Sequence, residues 1–128
     1  MDSKKLTQLI VDALEDIKGI DIKVFDVQDK TTITDVMVIA SGNSNRQVKA
    51  LVDSVVVKCK EQQMRPLGIE GTDAGEWALI DLGDVVVHVM QPSVRDFYNI
   101  EKLWGDESPD SSTSQGPDQS SQEADQSS

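Results

Sequence analysis

Apolar residues at the start of the chain recur at helical spacing. Leu6, Leu9, Ile10, Ala13, Leu14 and Ile17 share one face of a helix. Ser3 stands where a cap is wanted, and Gly19 is placed to end the helix in a left-handed turn. The period then shortens to two. Between Ile20 and Val27, Ile22 and Val24 point one way and Phe25 and Val27 the other, which predicts a strand. Beyond the polar connection Asp29-Lys30-Thr31-Thr32, the run Val36 to Ala40 is continuously apolar, as a strand covered on both faces requires. Ser41-Gly42-Asn43-Ser44-Asn45 breaks it and offers several caps, and Val48, Leu51, Val52, Val55 and Cys59 mark a second amphipathic helix.

Arg65 to Glu70 predicts a short strand that Pro66 confines to an edge or first position. Gly71 to Glu76 reads as a turn. Trp77 to Leu82 and Val85 to Met90 form two strands joined by Gly83-Asp84, a two-residue hairpin. Pro92-Ser93 punctuates, Ser93 with Asp96 resembles a capping box, and Val94, Phe97, Ile100 and Trp104 stripe one last helix that stops near Gly105. The order α-β-β-α-β-β-β-α predicts the α/β class: one domain with a mixed sheet of about five strands flanked by helices. The strands on either side of the second helix are expected to be parallel through a right-handed crossover, and the final pair antiparallel.

The hairpin divides its residues between two unlike faces. With Leu82 opposite Val85, Ile80 meets Val87 and Ala78 meets Val89, a uniformly apolar face that must be core. Trp77, Leu79, Asp81, Val86, His88 and Met90 fall on the other face. An aromatic with aliphatics and a few polar groups is the composition of a protein interface. The competing reading is that helices cover this face too and satisfy its polar groups internally.

Composition narrows the partners. The chain has 23 acidic and 12 basic residues, a formal −11. Asp106 to Ser128 holds six of the acids, no Lys or Arg, eight serines and Ala124 as its only aliphatic; without it 17 acids face 12 bases, a formal −5. The expectation is therefore a folded domain over residues 1–105 and a disordered acidic, Ser-rich tail over 106–128. Such a balance disfavours direct binding to a phosphate backbone and suits a basic protein surface. One cysteine, Cys59, excludes an internal disulfide and a CxxC pair. No apolar run approaches the roughly 20 residues of a bilayer span, and no signal-peptide layout opens the chain; the expected place is the cytoplasm, with no membrane contact.

Catalytic patterns are scarce. The lone His88 has no second His with which to build a zinc site, and Asp81 and Asp84 straddle a turn where Asp serves local hydrogen bonds. Ser41-Gly42-Asn43-Ser44 stands between strand and helix, where an anion could bind, but lacks the Gly spacing of a dinucleotide fingerprint. No cofactor is expected.

Four blocks, in order, resemble the ribosomal silencing factor (Iojap, RsfS) family. They are Asp35 to Val48, through Ser41-Gly42-Asn43-Ser44-Asn45-Arg46; Gly68-Ile69-Glu70-Gly71; Trp77 to Met90, through Asp81-Leu82-Gly83-Asp84; and Arg95-Asp96-Phe97-Tyr98 onward to Trp104. The resemblance spans roughly residues 4–105. It implies a fold similar to nucleotidyltransferases without their catalytic carboxylates, binding to the large ribosomal subunit through its universal protein fourteen, and obstruction of small-subunit joining when nutrients are short. It also implies a homodimer when free. Joined to the two-faced hairpin, it nominates Trp77, Met90 and Tyr98 as apolar anchors with Leu79 beside them. Asp81 would pair with a basic partner residue, and His88 and Arg95 would supply rim hydrogen bonds. The alternative is a small nucleotidyltransferase-like enzyme acting on a nucleotide or an RNA end. That activity needs a clustered acidic metal site and a basic groove, and neither is evident.

Overall fold

The computed structural model describes residues 2–104, the side chain of Trp104 excepted; Gly105 and the acidic tail lie outside the described residues. α1 (Ser3–Asp16) begins one residue earlier than its pattern suggests, because the Asp2 carboxylate, not Ser3, accepts the Lys5 N–H at 2.8 Å. At the other end Lys18 takes the left-handed conformation expected of Gly19. Gly19 is needed for space instead: a Cβ there would lie 3.0 Å from the Leu14 carbonyl oxygen and 3.2 Å from Leu51.

β1 (Ile20–Asp26) and β2 (Val36–Ser41) pair antiparallel, with a one-residue register shift between Ile20 and Lys23 where Asp21 adopts φ +49°. α2 (Asn45–Glu61) is capped reciprocally: Gln47 donates its N–H to Ser44 Oγ, and its side-chain oxygen accepts the Asn43 N–H at 2.7 Å. β3 (Gly68–Glu70), β4 (Trp77–Asp81) and β5 (Val85–Met90) complete a sheet of order β1-β2-β5-β4-β3. β5 runs parallel to β2, and the β3–β4 and β4–β5 pairs are antiparallel. β3 thus runs in the direction of β2, as expected, but at the far edge with two strands between them. The hairpin register matches the sequence reading pair for pair, from Trp77 opposite Met90 to Asp81 opposite Val86. Gly83 takes the positive φ of +85° that the tight connection needs, and across it the Asp84 N–H donates to the Leu82 carbonyl at 3.2 Å.

The first face of the sheet is the main core. Val38, Ala40, Ala78, Ile80, Leu82, Val85, Val87 and Val89 are buried against Leu6, Ile10 and Leu14 of α1 and Val48, Leu51, Val55 and Cys59 of α2. Cys59 is enclosed in this layer, and burial pushes its thiol pKa up.

The second face is partly covered by residues 92–104, and here the sequence expectation fails. The last helix is not continuous: α3 (Pro92–Tyr98) ends at Asn99 in the left-handed conformation and a separate turn, α4 (Glu101–Trp104), follows. Nor does Ser93 cap α3; Gln91 occupies the cap position without a side-chain bond, and Pro92 begins the helix. The break rotates Phe97 out of the expected stripe to 79% exposure while Ile100 turns in to join Val27, Met37, Ile39 and Met90. Arg95 holds this arrangement together. Its guanidinium, 4% exposed, donates to Ser41 Oγ at 2.9 Å and Glu101 Oε1 at 2.8 Å and lies 3.5 Å from the Asp21 carboxylate at the β1 bulge. The Arg95 hydrogen bond holds the Glu101 carboxyl below its usual range.

Three outcomes follow from this packing. Gly71 has φ +80°, and a Cβ there would sit 2.0 Å from the Trp77 carbonyl oxygen; Gly71→Ala is expected to cost about 2 kcal/mol or more in urea denaturation. Gly68→Ala, with open space around its Cβ, should stay within about 0.5 kcal/mol of the parent. Arg95→Ala strands the buried Ser41 hydroxyl and leaves Glu101 with only Lys23, 3.4 Å away, and should cost about 2 kcal/mol in the same assay.

Candidate functional site

Among the described residues, cover on the second face is incomplete. Over β2 and the end of β5 the α3–α4 elbow packs on Met37, Ile39 and Met90, and His88 is buried beside them. Along β4 that cover gives out, and Trp77, Leu79 and Asp81, with Val86 of β5, are only half-buried. Their shared orientation is a consequence of strand alternation: residues two apart point the same way. Tyr98, at the end of α3 and 55% exposed, lays its ring 4.9 Å from that of Trp77, and Phe97 meets Tyr98 edge-on at 4.9 Å. Three aromatics therefore run from the sheet surface onto the elbow. Separations of this size are those of favourable aromatic pairs.

Polar groups complete the patch. The Trp77 indole N–H donates to His88 Nδ1 at 3.0 Å. One Asp81 carboxylate oxygen accepts the Gly83 N–H at 2.9 Å, fixing the side chain beside the hairpin turn. Glu70 pairs with Leu79 across β3–β4 and so shares its face, and Asp84 and Asp96 are exposed at the turn and on α3. β3, β4 and β5 contain no Lys or Arg. The patch is apolar and aromatic at its centre and acidic around it.

Of the seven residues expected to touch a partner, four lie at the surface together: Trp77, Leu79, Asp81 and Tyr98. Three do not. Met90 is fully buried beneath Trp77 and Ile100 and is core, not an anchor. Arg95 is the enclosed ionic hub described above rather than a rim donor. His88 is 7% exposed and engaged by Trp77, so it too is withdrawn from the surface. The reading in which helices cover the face is thus right for the β2–β5 half and wrong for the β4 half. Sequence reasoning missed Phe97 and Glu70. Two adjacent aromatics cannot both face the core of one helix, and Asn99 tolerates left-handed backbone; together these could have signalled the break that exposes Phe97.

Among the described residues no group of three or more His, Cys, Asp or Glu side chains is placed to hold a metal ion. No helix in that range is long and apolar enough to cross a membrane.

Burial lowers the His88 pKa from its ordinary 6.5 to about 4. Between those values the unfolded chain binds a proton that the folded chain refuses, so His88 is neutral in its native setting at pH 7 and stability is lost as pH falls from 6.5 towards 4. The expected loss is about 3 kcal/mol. It should show as a stability drop in denaturant melts at pH 7 and pH 4 that is smaller by that amount in His88→Leu.

A model of the family "Ribosomal silencing factor during starvation" matches residues 1–128. The ribosomal silencing factor RsfS of Chromobacterium violaceum is 52% identical over 109 residues, covering 85% of this chain and 89% of that protein. Its counterpart in Haemophilus influenzae is 41% identical over 99 residues, covering 77% and 97%. A crystal structure of a Chromobacterium violaceum protein superposes with a TM-score of 0.82 at 52% identity, covering 85% of this chain and 91% of that one. Sequence likeness over most of both chains and likeness of fold agree: the chain belongs to the ribosomal silencing factor family.

Proposed function

We propose that the chain binds the large ribosomal subunit through its universal protein fourteen and thereby keeps the small subunit from joining, lowering translation when nutrients are short. The observation that carries this reading is the uncovered half of the second sheet face. Trp77, Leu79 and Tyr98 give it a desolvatable centre, and Glu70, Asp81, Asp84 and Asp96 surround that centre with negative charge. A rim of this sign attracts a basic protein surface and repels phosphate, which favours a protein of the ribosome over its RNA as the direct contact.

Occupancy is itself the mechanism. A domain seated where the two subunits meet excludes the bridge that would form there, so inhibition needs affinity and residence time but no reaction. The role requires neither cofactor nor metal, and its setting is the cytoplasm. When no subunit is available, the exposed Phe97 and Tyr98 give a second copy of the chain an apolar surface to cover, which supports a homodimer of the free protein.

The direct test is sedimentation of purified ribosomal subunits with the protein through a sucrose gradient. Comigration with large subunits and fewer joined ribosomes on addition is expected; sedimentation at the top with joining unaffected would sink the proposal. Within that assay, Trp77→Ala removes the central anchor and should cost about 2 kcal/mol of binding, roughly thirtyfold in affinity. Asp53→Ala, on the opposite helical face and exposed, should bind as the parent does.

A further inference from the structure

An indole carries one polar atom, an N–H that can only donate. A partner that covers it must bring an acceptor or leave that donor unsatisfied. In this chain the acceptor is already inside: Trp77 Nε1 lies 3.0 Å from His88 Nδ1. Because the indole has no lone pair to offer, Nδ1 must be the unprotonated nitrogen, and the imidazole proton stands on Nε2. Burial keeps the ring in that neutral form well below pH 7.

We propose that His88 is the positioning residue that sets the specificity of the docking face: by accepting the Trp77 N–H it locks the indole and lets it dock as a purely apolar plate. The inference rests on the reading of Trp77 as a partner anchor. His88 stands across from Leu79 on β4 and Ile39 on β2 and is buried there. Tyr98 lies against the indole at 4.9 Å. Trp77 therefore reaches its partner with its donor satisfied and its side chain already ordered, and little entropy remains to be lost on binding. The matching partner surface carries aliphatic groups, or a Lys or Arg over the ring face, and no hydrogen-bond acceptor opposite the indole nitrogen.

A mutant cycle separates this role from a general contribution to folding. Purified large ribosomal subunits serve as the probe. His88→Leu should weaken binding roughly tenfold or more, because the indole N–H is then buried without a partner. In the Trp77→Phe background, where there is no N–H to satisfy, the same change should cost no more than about twofold. His88→Asn, whose side-chain oxygen falls near the place of Nδ1, should recover most of the loss. In the free proteins, hydrogen exchange at the Trp77 indole should be slow in the parent and His88→Asn and fast in His88→Leu. Equal losses from His88→Leu in both backgrounds, or an indole proton that exchanges as fast in the parent as in His88→Leu, would overturn the proposal. A parent chain that does not bind large subunits would overturn the docking function and this role with it, whereas failure confined to the variants removes only the role of His88.

Discussion

The pairing of β2 with β5 at the centre of the sheet is the constraint from which the rest follows. Both strands are parallel, central and apolar, and each of their side chains is committed to one of two layers by the pleat. Val38 and Ala40 with Val87 and Val89 must go towards α1 and α2. Met37 and Ile39 with His88 and Met90 must then go to the other side, where water is excluded only if something covers them. The α3–α4 elbow is that cover. It is short, so it seals the central strands and not β4, and the gap it leaves is the candidate docking face.

A short cover has to be held in place by something stronger than its own small apolar contact. Arg95 does this by reaching through the layer to Ser41 at the end of β2, to Glu101 in α4 and towards Asp21 at the β1 bulge. A buried guanidinium is costly where its donors go unused, and Nη2 has no hydrogen bond, only the Asp21 carboxylate at 3.5 Å, so the hub is sensitive to the arrangement of the elements around it. That sensitivity fixes the elbow's position and with it the place of Tyr98 against Trp77. The ionic network in the interior and the aromatic cluster at the surface are therefore two ends of one structure.

The same economy shapes the candidate docking face. Polar groups at an interface centre need partners, and here Trp77 and Asp81 find them within the chain, in His88 and in the Gly83 N–H. What is left for a partner is shape, apolar area and acidic charge. Family membership and this surface both fit the proposed docking role.

The sequence by itself determined the two helices on the main core, all five strands, the hairpin register and the composition of both sheet faces. These are properties of local periodicity and turn chemistry, and the hairpin turn leaves only one register that keeps Ala78, Ile80, Val87 and Val89 together. Family membership was legible too, in four ordered blocks. Only the tertiary structure decided which half of the second face stays open. Met90, His88 and Arg95 have the residue types of an interface, but Met90 packs under Ile100 of the elbow that turns at Asn99, Arg95 is the elbow's own inward-facing residue, and His88 is buried beside Trp77. Periodicity reports which residues share a side; it carries no information on how far a cover extends over that side. Phe97 shows the reason most plainly. Its spacing fits a core stripe, but a single left-handed residue two positions later ends the helix, and the gain from burying Ile100 and closing the Arg95 network outweighs the cost of leaving Phe97 in water.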